Sequence, residues 1–216
     1  MEITKTYPAG SNLNLELIDR FENLLLSTNR PGMNNLLEFI RKSDFYSAPA
    51  STKYHSCHEG GLLEHSLFVY DCLIAKRANH TWQPILSGIE NDTFIIVALL
   101  HDICKTYFYT INYKNIKVYS ETGSKFDNNG NFDWVTVPFY TINDQYPYGH
   151  GEKSVMMIDC YIPLKPIEKY AIRWHMAFSE SKDILRTLSA AIKKYPLILA
   201  ISEADLEATY LLEREE

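Results

Sequence analysis

The chain has 216 residues, 46% hydrophobic and 22% charged, with a formal net charge of −6. That composition excludes a disordered chain, and the acidic balance excludes general attraction to a long polyanion such as duplex nucleic acid. A small anionic substrate stays open, because a metal can supply local positive charge.

Helical periodicity dominates the chain. Leu13 to Ser27 and Met33 to Arg41 predict two amphipathic helices, separated by the break Asn29-Arg30-Pro31-Gly32. Gly60-Gly61 precedes a helix expected over Leu62 to Arg77. Asn91-Asp92 offers an N-cap to a helix carrying Phe94 to Leu100, apolar on every face and therefore expected at the centre. From Tyr107 to Ile142 β-branched and aromatic residues alternate with polar ones, with Asn128-Asn129-Gly130 as a turn signal. This stretch predicts a β insertion of two or three strands at about 107–142. Helices resume after Gly149, from Pro166 to about Met176, from Asp183 to Tyr195, and from Pro196 to about Arg214. The expected class is all-α, a helical bundle carrying a small β insertion. One domain is expected over 1–216, with N-terminal helices at 13–41 and a helical core over about 54–214.

The four cysteines, Cys57, Cys72, Cys104 and Cys160, form no C-x-x-C pair and read as reduced thiols of a cytoplasmic protein. Residues 1–10 carry no signal pattern, and the longest apolar run, Phe94 to Leu100, is too short to span a bilayer. No membrane partner is expected; a homo-oligomer is left open.

His101-Asp102 closes the buried helix, so both side chains leave it at depth, where an unpartnered carboxylate is costly and a metal ion relieves the cost. Asp205 interrupts the apolar stripe Ile198, Ile201, Ala208, Leu212 and calls for a cation or several donors. His65 shares a face with Gly61, Leu62, Val69 and Cys72, which suits either a core histidine or a ligand. His150 lies between Gly149 and Gly151, and His175 shares a helix face with Glu168, Ala171 and Ile172. Imidazoles with carboxylates form the ligand set of borderline and hard divalent metals.

The order His65, His101-Asp102, His150, His175, Asp205 resembles the H…HD…H…H…D signature of the HD-domain (His-Asp) metal-dependent phosphohydrolase superfamily. Gly60-Gly-Leu-Leu-Glu-His65 is similar to a segment of the HD domain in 3′-5′ exoribonucleases of the YhaM type. Leu99-Leu-His-Asp-Ile-Cys-Lys105 resembles the usual LLHDIGK, with Cys104 replacing the glycine; the likeness covers about residues 54–210.

The resemblance implies an HD-type helical bundle holding one or two divalent ions (Mn, Fe, Co, Ni, Zn or Mg). His65, His101, Asp102 and Asp205 would bind one metal. His150 and His175 would hold a second, with Asp102 shared. It implies phosphoester hydrolysis by a metal-bound water, with Asp102 and Lys105 as catalytic residues and a nucleotide or similar small phosphorylated molecule as substrate. Lys105 reads either as a phosphate ligand or leaving-group acid, or as a solvated lysine at a helix end. Alternatives are a 3′-5′ exonuclease on short single strands, a di-iron oxygenase of the same superfamily such as myo-inositol oxygenase, and a non-catalytic nucleotide-binding module.

His55 and His58 read as site-mouth or loop residues, and His80 as a loop residue. The stripe Lys165, Lys169, Arg173 reads as a solvated face turned away from the metal. Tyr107, Tyr109, Tyr113, Tyr119 and Trp134 read as stacking groups for a base or as the small core of the insertion.

Overall fold

The computed structural model describes residues 14–53, 56–179 and 181–213. α1 (Leu15–Ser27) begins at Asn14, whose side chain accepts the Leu17 N–H. α2 (Met33–Lys42) adds Met33, Leu36, Leu37 and Ile40 to the main core. α3 (Gly61–Lys76) follows the double glycine, and a short turn, α4 (Gln83–Leu86), precedes α5 (Asn91–Leu100). In α5 every side chain from Thr93 to Leu100 is buried. A helix apolar all round is stable only when enclosed, and α1, α3 and α7 (Pro166–Arg173) enclose it. The expected Asn91-Asp92 cap is not formed: Glu90 takes the cap position without a side-chain bond, and Asp92 accepts from Arg30 and Lys165 instead.

The remaining helices finish the bundle. α6 (His150–Asp159) packs on α7, and α9 (Leu197–Glu207) packs on α3 and α7. α8 (Leu185–Lys194) builds a smaller core with Trp174, Ala177 and Ile198. α7 stops at Arg173, short of the expected Met176, and α9 runs into a π-helical turn over Ala208–Leu212.

The all-α expectation is overturned. β1 (Tyr109–Tyr119), β2 (Lys125–Asp127) and β3 (Gly130–Ile142) form an antiparallel sheet in the order β1-β3-β2, so the class is mixed helix-plus-sheet. The physical reason is the length of the two main strands. Their register runs unbroken from Tyr109 opposite Ile142 to Tyr119 opposite Phe132, and a period-two pattern sustained over that length makes a structural layer of its own. Of the insertion's side chains only Phe132 is buried, packed against Tyr119 and Trp134. Tyr113 is exposed, and Tyr109 at the base is half-buried. No helix among the described residues is long and apolar enough to cross a membrane.

Candidate metal centre

The His-Asp dipeptide leaves α5 where the helix unwinds. Asp102 has φ −106° and ψ 16°, in the sparsely populated bridge region where active-site residues recur, and a 3-10 turn, Ile103–Lys105, follows. His65 comes from α3, His150 from the first position of α6, His175 from the turn after α7, and Asp205 from α9. At Gly151 any Cβ would overlap the Arg173 carbonyl oxygen, so glycine lets the start of α6 and the end of α7 meet and brings their histidines together.

The six side chains converge. His65, His101 and Asp102 offer ligand atoms within 4.8 Å of one another, as do His101, His175 and Asp205, and likewise Asp102, His150 and His175. Asp102 sits between two groups. Its Oδ2 lies 3.7 Å from His65 Nε2, 3.5 Å from His101 Nε2 and 2.6 Å from Lys105 Nζ. Its Oδ1 accepts from His150 Nε2 at 2.6 Å and lies 3.5 Å from His175 Nε2. Asp205 Oδ1 is 3.2 Å from His65 Nε2. His65, His101, Asp102 and His175 are buried, while His150 and Asp205 form the accessible edge.

Tautomers are fixed from behind. His101 Nδ1 donates to the Ala98 carbonyl at 2.8 Å, and His175 Nδ1 donates to the Ile172 carbonyl at 2.7 Å. A carbonyl can only accept, so each Nδ1 carries the proton and each Nε2 is turned toward Asp102. Those two Nε2 atoms are buried with no hydrogen-bond partner among the described residues. An unsatisfied buried polar atom costs roughly 1–3 kcal/mol. A divalent cation would relieve that cost, and imidazoles fixed by a bond to the other ring nitrogen are the usual arrangement around one. The donor set therefore fits a divalent metal.

The charges are strongly coupled. Burial pushes the His101 imidazole down to about 4, against the pull of Asp102, so it is neutral. Burial also acts to lower His65, but the carboxylates of Asp205 and Glu213 outweigh it and lift His65 to about 9. His175 is raised against its burial by Asp102. Burial would raise Asp102, yet Lys105 and the surrounding histidines hold it well below the usual carboxylate range. Asp205 is held low in the same way, chiefly by His65.

Lys105 is not a solvated lysine. Its side chain is only 12% exposed, its ammonium pairs with Asp102 and donates to the Ala50 carbonyl at 2.7 Å, and the carboxylate raises its pKa against desolvation. The Tyr109 hydroxyl donates to the same Ala50 carbonyl at 2.9 Å. The Cys104 thiol lies 3.3 Å from His150 Nδ1, and burial pushes it up to about 12, so it stays a neutral thiol. His58 points elsewhere, toward Glu64 at 3.3 Å; His55 lies outside the described residues. His80 sits exposed in a turn. Lys165, Lys169 and Arg173 pair with Glu90 and Asp92, with Asp159 and with Glu152 respectively.

Sequence reasoning missed two residues of this site. Glu213 Oε1 accepts from His65 Nδ1 at 2.7 Å, and its Oε2 accepts from Ser56 Oγ at 2.6 Å. The apolar stripe had placed Leu212 on this face, but Leu212 is exposed. No signal in the local sequence marks the π-helical turn that exchanges the two.

Over 62 residues the chain is 40% identical to a dihydroneopterin 2′,3′-cyclic phosphate phosphodiesterase of Methanocaldococcus jannaschii. The match covers 29% of this chain and 24% of that protein, so the aligned region is about a quarter of the relative's length. No family model matches the chain, and no solved structure matches it.

Proposed function

We propose that the chain is a divalent-metal-dependent phosphohydrolase that cleaves a phosphoester of a small phosphorylated molecule, a nucleotide or a compound of similar size. The observation that carries this reading is the pair of buried Nε2 atoms of His101 and His175, without a hydrogen-bond partner among the described residues and turned onto a carboxylate whose two oxygens face two separate groups of histidines. The partial likeness to a cyclic-phosphate phosphodiesterase supports the same class of chemistry.

In this reading His65, His101, Asp102 and Asp205 hold one ion and Asp102, His150 and His175 hold a second. Bound divalent ions supply Lewis acidity to a phosphoryl group and an activated nucleophile from water. The chain's own residues do the rest. Asp102 links the two halves of the site and compensates Lys105. Lys105, with its pKa raised, acts as a fixed cation beside the phosphoryl oxygens rather than as a proton donor. The buried floor of His65, His101 and His175 excludes bulk water, while the accessible edge at His150 and Asp205 admits substrate.

The test is metal analysis of protein purified without chelator, then incubation with Mn²⁺ and a substrate panel. The panel spans nucleoside monophosphates, 2′,3′-cyclic phosphodiesters, cyclic dinucleotides and short RNA. Release of phosphate, phosphomonoester or nucleoside from at least one member is expected. Asp102→Ala is expected to lose both bound metal and turnover. Full hydrolysis by the metal-free variant, or silence across the panel, overturns the reading.

A further inference from the structure

The ligand face of His65 is set from outside the cluster, by a residue that reaches it only because its helix widens. From Asp205, a continuous α-helix at about 100° per residue returns to the same face at Leu212, about 20° off, and leaves Glu213 about 80° away. The turn over Ala208–Leu212 is π-helical, and the Glu213 N–H bonds to the Ala208 carbonyl, five residues back, at 3.0 Å. One extra residue per turn shifts the face by one position. Leu212 is turned out to solvent and Glu213 in, with its carboxylate buried.

The far side of that carboxylate is held as well. Ser56 sits at a left-handed φ of 42°, its carbonyl accepts the Ala50 N–H at 3.0 Å, and its hydroxyl donates to Glu213 Oε2. This backbone lies against Gly61, where any Cβ would overlap the Ser56 carbonyl oxygen. Strained backbone of this kind persists where the surroundings over-determine it, often beside functional sites.

We infer that Glu213, clamped by Ser56, is the positioning residue of the metal centre: it fixes His65 with Nδ1 protonated and Nε2 turned to the cation. His101 and His175 use backbone carbonyls for this purpose. His65 alone uses a carboxylate, which makes its ring a stronger donor toward a metal. The inference rests on the metal-binding reading of the six ligands.

The test uses the full chain with ¹⁵N-labelled histidine. Zn²⁺ or Mn²⁺ affinity is measured by competition with a chelating dye, and the His65 Nδ1 proton is followed by NMR with and without Zn²⁺. Glu213→Ala is expected to weaken metal binding roughly 10–100-fold and to lose the far-downfield, exchange-protected Nδ1 proton. Glu213→Gln keeps an acceptor oxygen, so it should retain that proton and recover part of the affinity. Ser56→Ala should weaken binding by a smaller factor. Should Glu213→Ala not fold, Glu213→Gln and Ser56→Ala decide, since both must still weaken binding relative to wild type. Wild-type affinity together with an unchanged Nδ1 resonance in the variants overturns the inference. A wild-type chain that binds no metal overturns the reading of the ligands instead, and the Nδ1 resonance still reports whether Glu213 orients His65.

Discussion

Metal uptake by this site should be strongly linked to pH, with a sign set by His65. Its imidazole, lifted to about 9 from an ordinary 6.5 by Asp205 and Glu213 against its burial, carries a proton at neutral pH that a cation must displace from Nε2. One displaced proton makes the apparent affinity fall about tenfold for each pH unit lost below 9. The same shift acts on stability. A group raised on folding stabilises fully below its unfolded value and loses that contribution as pH rises through its folded one. The gap from 6.5 to about 9 corresponds to roughly 3 kcal/mol for this buried group. Chelator-treated protein should therefore lose stability between pH 6.5 and 9, while metal-loaded protein gains affinity over the same window. Where metal stands 100-fold above its Kd it adds about 2.7 kcal/mol, or roughly 5–11 °C in Tm for a chain of this size. The metal-induced rise in Tm should grow steadily from pH 6.5 to 9. Thermal unfolding with Mn²⁺ or with chelator, alongside titration calorimetry in two buffers of different ionisation enthalpy, measures both quantities. A pH-independent affinity with no proton release refutes the reasoning.

Two further substitutions probe how the site is held. Gly151→Ala places a methyl group against the Arg173 carbonyl oxygen; forcing α6 from α7 should cost about 1–3 kcal/mol and lower metal content as His150 and His175 separate, read by urea unfolding and metal analysis. Glu168→Ala removes a buried carboxylate that pairs with Arg30 and accepts from the Thr93 hydroxyl at 2.9 Å. It leaves the buried Thr93 hydroxyl without that acceptor and the part-buried Arg30 guanidinium with Asp92 as its remaining carboxylate, and should lower unfolding stability by about 1–3 kcal/mol without changing metal affinity at saturation.

How much could be read from the sequence differs element by element. The apolar run around Phe94 placed α5 at the centre because a helix with no polar face has only one stable location. The order of histidines and aspartates drew His65, His101, Asp102, His150, His175 and Asp205 into one constellation, and all six meet in space. The alternation over 107–142 located the strands, yet the class named from it was wrong, because local pattern gives strand type and not how long a sheet the pairing sustains. Lys105 was left between a phosphate-binding or proton-donating role and that of a solvated lysine, since a lysine after a helix end looks the same in either case. Its pairing with Asp102 depends on how the chain turns beyond Leu100.

The sequence by itself determined the spacing of apolar residues, the helices that follow, and which side chains are chemically able to take a cation. These are properties of near neighbours, within a few residues of one another. Tertiary structure alone decided which oxygen of Asp102 faces which group of histidines, and the arrival of Glu213 and Ser56 behind His65. Each of these requires atoms from segments far apart in the chain to meet within hydrogen-bonding distance. A one-residue change of helical register was enough to put a carboxylate where periodicity had put a leucine.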